Sequence, residues 1–126
     1  MSDWTVRIDE STNRLYLTLE GQLSVAEAEA AADEVIAGAK QLDPGFDQVT
    51  DMRSFKPTDQ AAVDHIERGK RGLVENGVAA VCRVVAESTT GQMQFDRAGE
   101  GAETYAVAKA ESVDEAEKLL DQRRSG

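Results

Sequence analysis

Side chains that carry catalytic or metal chemistry are scarce in this sequence of 126 residues. It contains one cysteine, one histidine and two prolines. Cys82 alone cannot form an internal disulfide, and Cys82 with His65 cannot supply a zinc ligand set. The sequence therefore predicts no metal and no cofactor, and it favours a reducing, cytoplasmic location.

Long apolar runs and positive charge are also lacking. The longest uncharged apolar run, Val78 to Cys82, is far shorter than the roughly 20 residues that span a bilayer, and no signal peptide is recognisable at the start. Lys and Arg number 14 against 24 Asp and Glu, which gives a net charge of -10. Such a chain repels phosphate backbones and anionic lipids. We expect no membrane span and no nucleic-acid partner.

The sequence does contain enough apolar residues for one compact domain. Hydrophobic residues make up 40% of the chain and charged residues 30%. A domain has about 150 residues on average, so 126 residues indicate one domain rather than two. We expect a single domain over residues 1–126 with its core at about 4–122.

Two alternating segments predict a β-hairpin near the start. Residues 4–9 alternate apolar and polar side chains, and Leu15, Leu17 and Leu19 repeat the alternation after a turn at 10–13. This is the period of half-buried strands.

Strand and helix patterns alternate through the rest of the chain. Ser24 and Glu27 form a capping box that begins a helix, and Asp43-Pro44-Gly45 ends it. The later predicted elements are a strand at 46–52 ending near Asp51, a helix with Thr58 as N-cap that closes at Asn76-Gly77, a central strand at 78–86, a weak helix within 88–103, a short strand at 105–107, and a helix beginning after Ser112 whose tail frays after Asp121.

This order predicts an α/β fold in which three to four helices pack on a mixed sheet of about five strands. Together with the stretch Phe46-Asp-Gln-Val-Thr-Asp-Met-Arg-Ser-Phe55 and the pair Thr58-Asp59, it resembles the STAS family, the SpoIIAA-like anti-sigma-factor antagonists and their relatives. The resemblance covers roughly residues 4–122. It implies a SpoIIAA-like sheet, a non-catalytic interaction module with a protein partner, and a distant kinship to SEC14-like lipid-binding domains.

One motif of that family is missing. Its switching members carry an Asp-Ser-Ser/Thr-Gly type motif at the start of the second helix, and the hydroxyl residue is phosphorylated to release a partner. The matching stretch here is Asp59-Gln60-Ala61-Ala62, which keeps the aspartate and lacks the hydroxyl residues and the glycine. What the resemblance implies here is therefore the scaffold and a docking surface, without that switch.

Polar residues around the end of the third predicted strand form the candidate binding site, because ligands of open α/β sheets bind beyond the carboxyl ends of the strands. Capping by Thr58 and a hydrogen-bonded strand end at Asp51 explain those two residues without a ligand, and we prefer that simpler interpretation. The candidates are Asp51, Arg53, Ser54, Lys56, Thr58 and Asp59, with Glu87, Ser88 and Thr89 as neighbours from the next strand.

Residues 53–71 stand out by charge, with five basic and three acidic side chains, while the remaining 9 basic and 21 acidic residues sum to -12. The contrast fits a docking face for an acidic partner or an anionic ligand. However, Arg68, Lys70 and Arg71 also lie late in a helix, where cations complement the helix dipole, and this explanation is preferred.

Two functions of different classes stay open. One is a protein-interaction module, and the other is a carrier or sensor of a small apolar or anionic ligand held between sheet and helices. The carrier needs a cavity, which a chain of this size keeps small. His65 is interpreted as a boundary packing residue and Cys82 as an inert buried thiol, so no enzyme is expected.

Overall fold

The computed structural model describes residues 2–86 and 90–125. Within these ranges the chain forms one five-stranded sheet and four α-helices. In chain order the elements are β1 (Asp3–Asp9), β2 (Arg14–Gly21), α1 (Val25–Gln41), β3 (Asp47–Phe55), α2 (Gln60–Glu75), β4 (Ala80–Val84), α3 (Thr90–Arg97), a short 3-10 helix (Glu100–Ala102), β5 (Ala106–Ala110) and α4 (Val113–Ser125).

The sheet is mixed, as predicted, and its strands follow the order of the sequence, β1-β2-β3-β4-β5. β1 and β2 form the expected antiparallel hairpin, with Ile8 opposite Leu15. The other pairs are parallel. The prediction that residues 78–86 form the central strand is wrong, because β3 lies in the middle. The prediction relied on the apolar run of residues 78–86. Such a run indicates a strand that is buried on both faces, and β4 is buried in this way although it lies between β3 and β5 rather than in the middle of the sheet.

Helices cover both faces of the sheet. Leucines of β2, such as Leu17, pack with Val35 of α1 and Leu73 of α2 on one face. On the other face, Val84 of β4 packs with Leu120 of α4. None of the described helices combines the length and the apolar character needed to cross a bilayer.

The predicted capping box at the start of α1 is present. The backbone N–H of Glu27 donates to Ser24 Oγ at 3.1 Å, and the N–H of Ser24 donates to Glu27 Oε1 at 3.0 Å. These bonds satisfy two donors that the first turn of a helix leaves without intrahelical partners.

The ends predicted for β3 and for the last helix differ from the structure, and β4 covers 80–84 rather than the predicted 78–86. β3 continues past Asp51 to Phe55, because β2 also continues and pairs Gly21 with Phe55 after a register shift. α4 continues to Ser125 rather than fraying after Asp121. Its last turn is held because Arg124 Nε donates to the Asp47 carboxylate at 2.9 Å.

The segment for which the sequence predicts only a weak helix, 88–103, contains α3 and the 3-10 helix. An added Cβ at Gly91 would lie 2.6 Å from the carbonyl oxygen of Phe55. Glycine is unfavourable within a helix, but the missing side chain of Gly91 allows α3 to approach the end of β3. β5 covers 106–110 rather than the predicted 105–107. The predicted neighbours Glu87, Ser88 and Thr89 lie outside the described residues.

Candidate functional site

The end of β3 and the beginning of α3 form an open groove on the surface. Lys56 follows β3 directly, and an added Cβ at Gly91 would lie only 3.0 Å from its Cα. Three of the predicted site residues, Arg53, Ser54 and Lys56, therefore line one groove. Its other wall is α3, a helix that the sequence pattern indicates only weakly. The groove is lined by Arg53, Ser54, Phe55, Lys56, Pro57, Thr90 and Gly91.

Asp51 and Arg53 bind each other. Arg53 donates from Nε at 3.0 Å and from Nη2 at 2.8 Å to the Asp51 carboxylate, and the backbone N–H of Arg53 donates to the same group at 3.3 Å. The hydrogen bonds from Arg53 hold the pKa of Asp51 below its usual value, although partial burial opposes them. The carboxylate is thus occupied by its neighbour, and much of the Arg53 charge is balanced within the protein.

Thr58 is tied into the fold rather than capping α2, so its predicted role as N-cap is wrong. Its hydroxyl donates to the carbonyl oxygen of Leu23. Its backbone N–H donates to Gln94 Oε1 at 2.8 Å, and its carbonyl accepts from Gln94 Nε2 at 2.9 Å. Asp59 is the N-cap residue of α2, is exposed, and makes no capping hydrogen bond with its side chain.

Lys56 lies near the first turn of α3, and Arg97 is the last residue of the same helix. Both side chains are exposed, and neither has an ion-pair partner among residues 2–86 and 90–125. Met93 of α3 is 49% exposed and lines a second groove with Arg97, which meets the first groove at Thr90. We call this surface the front edge; it consists of Arg53, Ser54, Lys56, Met93 and Arg97.

The remaining basic residues of 53–71 do not extend the front edge. Arg68 pairs with Asp33 of α1 at 2.9 Å, and Arg71 pairs with Glu67 on α2. Lys70 is buried, with 4% of its side chain exposed. The charge contrast of the sequence therefore contributes little to one continuous basic face.

Lys70 belongs to an internal polar cluster beneath α3. Its Nζ lies 2.6 Å from Glu103 Oε1 and donates to the carbonyl oxygen of Phe95 at 2.6 Å. Arg83 of β4 contacts the same Glu103 oxygen at 2.5 Å and Asp96 at 2.8 Å. Burial, assisted by the nearby Arg83 charge, lowers the pKa of Lys70 to about 8. The cluster attaches α3 and the segment after it to the sheet.

An internal cavity of about 50 Å³ lies between the sheet, α1 and α2. Its wall is mostly apolar but includes Gln48, His65 and Lys70. Gln48 is 3% exposed, and its Nε2 donates to Thr50 Oγ1 at 2.7 Å. Its Oε1 is buried and has no hydrogen-bond partner in the described part of the chain. Nothing in the sequence pattern of β3 indicates this group.

The histidine and the cysteine make few chemically useful contacts. His65 Nδ1 accepts from Arg68 Nε at 3.3 Å, and His65 Nε2 lies 3.7 Å from a Glu29 carboxylate oxygen. Cys82 is fully buried, and burial raises the pKa of its thiol. Across 2–86 and 90–125, no group of three or more His, Cys, Asp or Glu residues is arranged to hold a metal ion.

Solved structures define the class of this fold: the chain has a SpoIIAA-like, or STAS, fold. An uncharacterized protein of the DUF3478 family from Shewanella loihica PV-4, itself described as SpoIIAA-like, matches with a TM-score of 0.67 and 17% identity over 95% of each chain. The anti-sigma factor antagonist SpoIIAA in its unphosphorylated form matches with a TM-score of 0.63 and 12% identity over 97% of this chain and 98% of its own.

An anti-sigma factor antagonist from Mycobacterium paratuberculosis is also similar, with a TM-score of 0.59 and 10% identity over 94% of this chain and 95% of its own. No family model and no curated protein matches the sequence. At these identities the likeness establishes the fold and leaves function to the chemistry of the site.

Proposed function

We propose that this protein is a non-catalytic, cytoplasmic STAS-like module that binds an acidic segment of a protein partner through the front edge. The observation that carries the proposal is the presence of two exposed cations, Lys56 and Arg97, in two grooves that meet at Thr90 and include the exposed Met93. These cations stand out in a chain with a net charge of -10. Methionine is an adaptable contact residue at binding surfaces, and complementary charge steers association.

The state of the polar groups near the front edge supports binding rather than catalysis. Asp51 is held by Arg53, and the Thr58 hydroxyl is held by the carbonyl oxygen of Leu23. A general acid needs a proton that it can give to a substrate, and a general base or a nucleophile needs a lone pair directed at the substrate. Two of the similar structures are described as anti-sigma factor antagonists, and those descriptions support a regulatory role through a protein contact.

Charge reversal tests the proposal. Tagged protein is purified from the cells that produce it, as wild type, as Lys56→Glu with Arg97→Glu, and as the control Lys118→Glu, which changes an exposed lysine on α4. We expect a co-purifying protein with wild type and with the control, reduced at least tenfold in the double variant. Equal recovery with the double variant, or no co-purifying protein with wild type, would contradict the proposal.

A second candidate function is a carrier or sensor of a small ligand. The internal cavity with the buried, unsatisfied Gln48 Oε1 favours it, since native structures seldom leave such an acceptor without a partner. Native mass spectrometry of freshly purified protein separates the two functions. A reproducible extra mass supports the carrier, whereas the mass of the bare chain supports the docking module.

A further inference from the structure

We propose that the internal cavity binds a small, uncharged amphiphile whose hydroxyl group donates a hydrogen bond to Gln48 Oε1. The inference rests on the second candidate function and specifies the chemical class of its ligand. It combines three observations: the volume of the cavity, the apolar nature of its wall, and one buried acceptor without a partner.

The volume sets the size of the ligand. One water molecule needs about 10–15 Å³ of such space, so about 50 Å³ accepts about three to five waters or a molecule with a similar number of non-hydrogen atoms. A lipid chain or a nucleotide is far larger. The cavity as it stands therefore does not fit the lipid ligands of SEC14-like domains.

The wall excludes a charged ligand. Apolar side chains from the sheet and both helices, such as Leu19, Ala32 and Leu73, form most of it. The ammonium group of Lys70 is already paired with the Glu103 carboxylate at 2.6 Å, so no uncompensated positive charge faces the cavity from that side. Transfer of an anion into such surroundings is costly without a free counter-charge. This argues against the anionic alternative for the cavity.

The unsatisfied side-chain oxygen of Gln48 sets the functional group of the ligand. Gln48 Nε2 is used by Thr50 Oγ1, which leaves Oε1 as an acceptor. A ligand hydroxyl donates to that oxygen, whereas a ketone or an ether of the same size offers only acceptors. The remaining atoms of the ligand are apolar and replace water against the leucine and alanine side chains. His65, whose side chain is 23% exposed, also lies in the wall.

The test uses three probes on the full chain: xenon, 2-propanol and acetone. Xenon reports apolar space, while 2-propanol and acetone share the same heavy-atom framework and differ in the hydrogen-bond donor. Binding is followed by chemical shifts of methyl groups that line the cavity, including those of Leu19 and Leu73. We expect all three probes to shift these methyls and 2-propanol to bind roughly fivefold more tightly than acetone, as one hydrogen bond to a buried acceptor gives.

Two variants assign the effect to the cavity and to Gln48. Gln48→Met keeps the length of the side chain without the amide, and it should make the affinities for 2-propanol and acetone equal. Gly69→Ala adds a methyl group to the wall, where a Cβ would lie 3.8 Å from Ala32 Cβ, and it should weaken all three probes.

The outcomes separate this inference from the function on which it rests. Binding of xenon and acetone without a preference for 2-propanol would overturn the proposed ligand class and leave the carrier function standing. Failure of every probe to shift the lining methyls would mean that the cavity holds ordered water only, and both would fall. If Gln48→Met still binds 2-propanol more tightly than acetone, the hydroxyl group of 2-propanol donates to an acceptor other than Gln48. That result would overturn the proposed role of Gln48.

Discussion

Alanine substitution should change the free energy of unfolding differently at two buried glycines of α2. Gly69 and Gly72 both face α1, three positions apart along the helix. An added Cβ at Gly69 would lie 3.8 Å from the Cβ of Ala32, which is an ordinary van der Waals distance. At Gly72 it would lie 2.4 Å from Cγ1 and 3.0 Å from Cδ1 of Ile36. The α1–α2 contact is therefore open to a methyl group at one site and closed to it at the other.

The magnitudes follow from helix propensity and packing. Replacing glycine by alanine within a helix contributes about 0.8–1.0 kcal/mol. Gly69→Ala should therefore raise the free energy of unfolding by about 1 kcal/mol. At Gly72 the same gain is opposed by overpacking, which typically costs about 1–3 kcal/mol. Gly72→Ala should thus be less stable than Gly69→Ala by about 1–3 kcal/mol.

Urea denaturation followed by circular dichroism measures both variants. Ile36→Ala removes the atoms that clash, so Gly72→Ala should become stabilising when it is added to that background, which a double-mutant cycle detects. If Gly72→Ala is as stable as Gly69→Ala in the wild-type background, the close packing of α1 on α2 described above is refuted.

Two further predictions concern buried charges. The pKa of Lys70 is lowered from 10.5 to about 8, so between these pH values the unfolded state binds more protons and stability rises with pH. We expect this lysine to add about 2 kcal/mol of stability between pH 8 and pH 10. Urea titrations at both pH values should show a change in stability that is about 2 kcal/mol more positive in wild type and in the exposed-site control Lys56→Met than in Lys70→Met. The comparison between variants is needed because the raised pKa of the buried Cys82 thiol acts in the opposite direction in all three proteins. Asp47→Asn should cost about 3–5 kcal/mol, because its carboxylate lies 2.6 Å from the buried Arg14 guanidinium. Asp121→Asn, at the exposed partner of the same arginine, should cost less than about 1 kcal/mol; equal losses for the two asparagine variants would refute the burial argument.

Local patterns were sufficient to predict the element order and several helix starts. The capping box of Ser24 and Glu27 is a short-range signal, and the structure contains it. Thr58 carries an equally good local signal, yet its hydroxyl donates to Leu23, which is 35 residues away in sequence. A tertiary acceptor overrides the capping preference there, and no local pattern reveals it.

The candidate site was predicted in part for the same reason. Arg53, Ser54 and Lys56 are neighbours in sequence, so the sequence could place them together. The contribution of α3 depends on Gly91, whose missing side chain allows the helix to approach β3. The burial of Lys70 depends on Glu103, which is distant in sequence and reaches it only in the folded chain.

Site-specific photo-crosslinking tests the docking function most directly. A photoreactive residue is placed at position 56 or 93 on the front edge and, as a control, at the exposed position 118 on α4, in cells that produce the protein. We expect one discrete crosslinked protein from positions 56 and 93 and none from position 118. The absence of a crosslink from both front-edge positions, or the same crosslink from all three positions, would contradict it.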